Sequence, residues 1–238
     1  MQKTEVHETV AREYARMLQE SQQRGSEAEG KSGVGMIASL AGYEPQAQHE
    51  EVAAESFGCG NPVALAAIEA GQTVLDLGSG AGLDLILAAE QVGPSGRIIG
   101  IDMTQEMVDK ALENARRAGH DNVEVRLGMI EHLPVADNSV DWVISKCVIN
   151  LSPDKERVFA DIARVLKPGG RFSISDIVVQ DLPEALRNSA ALYSACVAGA
   201  ISEEAYLAGL RYAGLEDIAV SERLVYEASQ LVSLISCE

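Results

Sequence analysis

The sequence predicts an α/β fold: a mostly parallel sheet with helices on both faces, preceded by an N-terminal helical cap. Three observations predict it. Short apolar runs alternate with helical stretches from Thr73 to Asp176, and strands joined through helices run parallel with both faces covered. The run "VLDL" passes directly into the glycine turn "GSGAG", a strand–turn–helix junction. The first twenty residues instead carry helical spacing.

In chain order, Val6, Val10, Tyr14, Met17 and Leu18 recur at the interval of an amphipathic helix,. Residues 22–35, rich in Gly, Ser and charge, read as a loop or mobile lid, and 62–69 as a short helix. Strands are expected at Thr73–Leu77, Arg97–Asp102, Val123–Leu127, 140–145 and 171–176, with helices at 82–91, 105–118 and 154–166,. "KPGG", from Lys167 to Gly170, reads as the turn before the fifth strand,. Beyond Asp176 the pattern predicts a helix rich in small residues at 182–200 and a second helix at 203–213, ended by Gly214,. Two final strands are expected at 217–226 and 231–237.

A chain of 238 residues, 47% hydrophobic, is long enough for one large domain with a small appendage. Against 19 Lys plus Arg stand 36 Asp plus Glu, a formal charge of −17. A surface this acidic repels phosphate backbones and anionic membranes, so neither nucleic acid nor a membrane is an expected partner. No apolar run approaches the roughly 20 residues that span a bilayer, and "MQKTEVHETV", with no basic region followed by an apolar core, is not expected to act as a signal peptide,. The expected location is cytoplasmic, where thiols stay reduced. Cys59, Cys147, Cys196 and Cys237 are far apart in sequence, and the histidines are scattered. A metal-type site would therefore have to be assembled by folding.

In "VLDLGSGAG" (74–82), Gly78, Gly80 and Gly82 let the backbone turn tightly and approach a ligand closely,. The spacing is G-x-G-x-G; the dinucleotide fingerprint would need a glycine where Leu83 stands,. Asp102 ends the second strand, where a carboxylate can accept from ribose hydroxyls,. A nucleotide-type ligand at the carboxyl edge of the sheet is expected.

"VLDLGSGAG", "IIGIDMT", "LGMIEHLPVADNSVDWVIS" and "VLKPGGRFSISD" together resemble the class I S-adenosylmethionine-dependent methyltransferases, in the right order, over 61–176. The resemblance implies a Rossmann-like sheet and S-adenosylmethionine as cofactor. It implies that Asp76, Gly78, Ser79 and Gly80 hold the methionine portion. Asp102 would grip the ribose hydroxyls, Met103 would pack on the adenine, and Met129, Ile130 and Glu131 would contact the adenine past the third strand. Met129 and Ile130 fit ordinary core packing equally well. Asp84 and Asp141 read as a helix-end partner and a strand-edge residue.

"SFGCGNP" (56–62), "SKCVINLSPDK" (145–155) and "LYSACVAGA" (192–200) each resemble a cysteine segment of the arsenite methyltransferases. That resemblance implies arsenic(III) as substrate, bound by the thiolates of Cys59, Cys147 and Cys196, with a thiol reductant as partner. Soft ligands suit a metalloid, and its own lone pair needs no general base. It also implies a cap over residues 1–55 and a methyltransferase domain over 56–238, with substrate-capping helices at about 182–213. The competing reading is burial of each thiol as a small hydrophobe, strongest for Cys196 and even for Cys147. Cys237 matches no motif and reads as a terminal or edge-strand thiol.

Lys146 stands where the family more usually has asparagine. Its charge favours a nearby thiolate, although neighbouring side chains on an extended segment point apart. Residues 22–43 contain no cysteine, where the family commonly carries one or two. Two other functions fit the same core. One is methylation of carbon, oxygen or another soft atom on a quinone, sterol or selenium compound, disfavoured for oxygen because His49, His120 and His132 lack a supporting motif. The other is a non-catalytic protein that binds cofactor or metalloid.

Overall fold

The computed structural model describes residues 3–24, 61–187, 189, 192–193, 196–223 and 225. Cys59, Cys237 and the strand expected at 231–237 lie outside the described residues. Helix α1 (Lys3–Arg24) extends into the stretch expected as a loop, and a short α2 (Pro62–Leu65) follows later. Then come β1 (Thr73–Leu77), α3 (Leu83–Val92), β2 (Arg97–Asp102), α4 (Gln105–Arg117), β3 (Val123–Leu127) and β4 (Val140–Lys146). After a 3₁₀ turn at Ile149–Leu151 the chain forms α5 (Lys155–Val165), β5 (Leu166–Ser175), α6 (Glu184–Arg187) and α7 (Glu203–Tyr212). No helix among the described residues is long and apolar enough to cross a membrane.

The five strands stand in the order β3-β2-β1-β4-β5, and every pairing is parallel. The chain winds outward from β1 to β3, then returns to the far side of β1 to lay down β4 and β5. The reversal leaves a crevice beyond the carboxyl ends of β1 and β4, where an open α/β sheet binds ligands.

Alternate residues of each strand face opposite layers. Leu75, Leu77, Ile99, Ile101 and Val143 pack with Val158, Phe159 and Ile162 of α5 and Tyr206 and Leu210 of α7. Val74, Ile98, Trp142 and Ile144 pack on the other side with Leu85, Ala88 and Val92 of α3 and Val108 and Ala111 of α4. Each large side chain buried this way contributes roughly 1.5–3 kcal/mol. The rings of Phe159 and Tyr206 meet edge-on at 5.1 Å, holding α7 on α5. Asp154 and Ser202 cap α5 and α7 by accepting from the amides of Arg157 and Ala205,.

Three expectations are corrected. "KPGG" is an excursion within β5 rather than a turn before it: Leu166 pairs with Val140 and Arg171 with Trp142, so 167–170 bulge out,. The long helix at 182–200 is broken; helical residues are described at Glu184–Arg187 and 192–193, and 196–199 form a turn. Gly199 lies so close to the Asn150 carbonyl that no side chain fits there. The strand at 217–226 is absent among the described residues, which are exposed except for half-buried Ile218, leaving no buried face to pair on.

Candidate active site

A cavity of about 900 Å³, its mouth included, opens at the carboxyl edge of the sheet. Its floor is the glycine turn after β1, its walls the segments after β2, β3 and β4, and its roof His7, Val10 and Tyr14 of α1. The roof residues sit at helical spacing, so one face of α1 covers the site.

Gly78 and Gly80 have φ of 66° and 50°, in the left-handed region that glycine enters at no steric cost. The space a side chain on Gly78 would need is filled by Val148, whereas one on Gly80 would meet nothing within 4 Å. The turn is pinned by Ser79 N donating to Ile101 O at 3.0 Å and by Gly80 N donating to Asp102 Oδ2 at 3.0 Å. The other Asp102 oxygen accepts from Thr104 N at 3.0 Å and Thr104 Oγ1 at 2.9 Å. Burial pushes the Asp102 carboxyl up, and these bonds oppose the shift,. Ser79 Oγ is buried with no hydrogen-bond partner among the described residues. An orphaned hydroxyl beside an uncovered glycine is the cradle a small-molecule cofactor would complete.

Asp76 is 3% exposed. Burial, then the charges of Asp84 and Asp102, drive its carboxyl well above the usual range, and Lys146 opposes them,. Asp84, in the first turn of α3, is also the partner of Lys146: Nζ lies 2.7 Å from Oδ2, with the two side chains 7% and 8% exposed. Lys146 thus reaches Asp84 beside the glycine turn, not the thiol next to it in sequence.

Met103 and Met129 line the cavity and are half-buried, whereas Ile130 lines it and also belongs to the main core. Glu131 is buried, accepts from Ser152 Oγ at 2.5 Å, and bonds His7 Nε2 at 2.9 Å. That contact ties α1 to the segment after β3. The sequence places Val10 and Tyr14 on the apolar face of an N-terminal cap helix without assigning either to the site, and His7 is the lining residue it misses; the i, i+3, i+7 stripe of His7, Val10 and Tyr14 is the available signal,. His132 lies beside Arg157, whose Nη2 is 3.4 Å from its Nδ1, and His49 lies outside the described residues. Asp141 is at the opposite end of the sheet, where it pairs with Lys167 and accepts from Thr73 N at 2.8 Å.

Cys147 follows β4 with φ of 53°, its amide held by Ser175 O at 2.8 Å, and it lines the cavity. Cys196 has φ of 62°, and its thiol donates to the Cys147 carbonyl at 2.6 Å. Both are free thiols, each 4% exposed, packed among Val6, Val10, Leu151 and Tyr14. Burial raises the Tyr14 phenol well above its ordinary value; Cys196 and Cys147 add to the shift, and the phenol is hydrogen-bonded to Cys196. Behind the thiols, Asp176 accepts from Asn150 Nδ2 at 2.7 Å and Tyr206 OH at 3.2 Å. Burial pushes its carboxyl up to about 7.

The family described as a methyltransferase domain matches residues 68–214. The arsenite methyltransferase of Halobacterium salinarum is 52% identical over 168 residues, covering 70% of this chain and 43% of the relative. That of Aquipseudomonas alcaligenes is 44% identical over 161 residues, covering 64% of this chain and 46% of the relative. An X-ray structure of an arsenic(III) S-adenosylmethionine methyltransferase from Chlamydomonas reinhardtii is similar with a TM-score of 0.63 and 36% identity, over 75% of this chain and 61% of that one. The chain spans less than half the length of these two curated relatives.

Proposed function

The chain belongs to the methyltransferase-domain family, and on that premise we propose that it methylates trivalent arsenic held by cysteine thiolates, using S-adenosylmethionine. The observation that carries this reading is the meeting of Cys147 and Cys196, 49 residues apart in sequence, beside the cavity over the glycine turn. The similarity to arsenite methyltransferases supports the same substrate.

When bound, S-adenosylmethionine supplies a methyl on a positively charged sulfur, already activated for displacement. The residues divide the work of holding it. Asp76, Gly78, Ser79 and Gly80 take the methionine end, Asp102 takes the ribose hydroxyls, and Met103, Met129, Ile130 and Glu131 take the adenine end. Cys147 and Cys196 bind the arsenic substrate as thiolates, with Cys59 as the third ligand. Their apolar surroundings, Val6, Val10 and Leu151, exclude water from the acceptor. Arsenic(III) brings its own lone pair, so orientation rather than proton removal is what the protein must supply.

Residues 1–55 then act as the cap, with α1 over the cavity, and 56–238 as the methyltransferase domain. A small thiol reductant completes the reaction mixture, and the reduced thiols suit a cytoplasmic setting. The test is incubation with S-adenosylmethionine, a thiol and arsenite, followed by mass spectrometry. Methylated arsenic is the expected product. Protein that binds S-adenosylhomocysteine yet yields no methylated arsenic would sink the substrate assignment.

A further inference from the structure

The ion pair between Lys146 and Asp84 is too well buried, and too well placed, to be ordinary packing. Burying two charges costs more desolvation than their attraction commonly returns, so such a pair is a poor device for stability alone. This one lines the ligand cavity, where shielded charges serve recognition.

The charges around the cavity are uneven. Asp84, Asp102 and Glu131 line it, and among its described lining residues Lys146 is the one permanent cation. S-adenosylmethionine has the complementary distribution: a sulfonium and an ammonium, both positive, and a single carboxylate. We propose that Lys146 is the anchor for that carboxylate, making the end of β4 the specificity determinant for the amino-acid end of the cofactor.

The inference rests on the S-adenosylmethionine reading above. Lys146 stands at the end of β4 and Asp84 in the first turn of α3, flanking the glycine turn from two sides. An ammonium carries three N–H donors, so one Lys146 can bridge Asp84 and a ligand carboxylate. Asp84 holds the long lysine side chain in place before the ligand arrives, which removes part of the ordering cost of binding. Asp76 lies within reach of the charges of both and is left to meet the ligand ammonium. The resulting row of carboxyl, ammonium and carboxyl groups matches an α-amino-acid zwitterion and not a bare nucleoside.

Calorimetric titration of two ligands separates the possibilities. S-adenosylhomocysteine carries the amino-acid end; methylthioadenosine keeps the nucleoside and thioether and lacks it. K146Q is expected to weaken S-adenosylhomocysteine by about 10- to 100-fold, the loss of one charge-assisted contact. Methylthioadenosine should change by less than about twofold, and K146R should recover most of the lost affinity. The double variant D84N/K146Q removes both members of the ion pair, so neither is left buried without the other, and it gives the same comparison should K146Q not fold. Unchanged S-adenosylhomocysteine affinity overturns the inference, as does an equal loss for both ligands. If the unaltered protein binds neither ligand, the cofactor reading fails first and this one with it.

Discussion

The thiol of Cys196 donates to the backbone carbonyl of Cys147 at 2.6 Å, across 49 residues of chain. One sulfur is thereby fixed by the main chain of the residue that bears the other. The arrangement predicts that Cys147→Ser and Cys196→Ser fail in the same way. Arsenite methylation should fall by at least the roughly 10- to 100-fold that losing a supporting partner costs at a metal site. S-adenosylhomocysteine affinity should stay as in the unaltered protein. Steady-state rates with parallel calorimetry check both halves, and undiminished turnover in either variant refutes a shared thiol site.

Asp102 acts on the nucleoside half of the ligand, and it also holds Gly80 in the turn. Asp102→Ala should therefore weaken S-adenosylhomocysteine and methylthioadenosine by the same factor, about tenfold or more for a lost charge-assisted bond. Titration of both ligands reads this directly. Selective loss of only one would show that Asp102 does not serve the ribose.

His7 and Glu131 join α1 to the domain at 2.9 Å. A hydrogen bond to a charged group contributes roughly 1.5–3 kcal/mol. With His7→Ala, amides of α1 should exchange at least about tenfold faster, while those of β1 and β4 keep their rates. Hydrogen-exchange mass spectrometry distinguishes this from general destabilisation, in which all segments would speed up together.

Asp176 gives the molecule a pH dependence. Burial raises its carboxyl from 3.8 to about 7, so between those values the folded chain keeps a proton that the unfolded chain has released. Stability should fall as pH rises from about 4 to about 7, by at most about 1.4 kcal/mol per pH unit from this group, with no further slope outside the window. Asp176→Asn should flatten that part of the profile. Urea midpoints measured across the range test it, and an unchanged slope would show that Asp176 is ionised in the folded chain throughout.

The inner strands were legible because both their faces are buried. "TVLDL" and "RIIGID" carry apolar residues toward both layers, and β1 and β2 occupy the expected residues. The glycine turn was legible because its backbone demands are local. What escaped was non-local or exposed. The partnership of Lys146 with Asp84 joins β4 to α3, and no periodicity announces it. In the turn at 196–199, Gly199 packs directly on the Asn150 carbonyl, a tertiary contact on residues whose composition alone suits a helix. The 217–223 stretch is polar and solvent-facing, so its apolar residues carried a strand signal with no partner layer behind it.

Cys147 and Cys196 both occupy the mirror-handed corner of backbone space, which charges an L residue roughly 1–2 kcal/mol. Randomising either position would therefore select for two unrelated properties at once. Asparagine and glycine would look benign and valine or isoleucine harsh, whatever becomes of the sulfur chemistry. Serine, which keeps the shape of the side chain it replaces, is the substitution that isolates the sulfur atom itself.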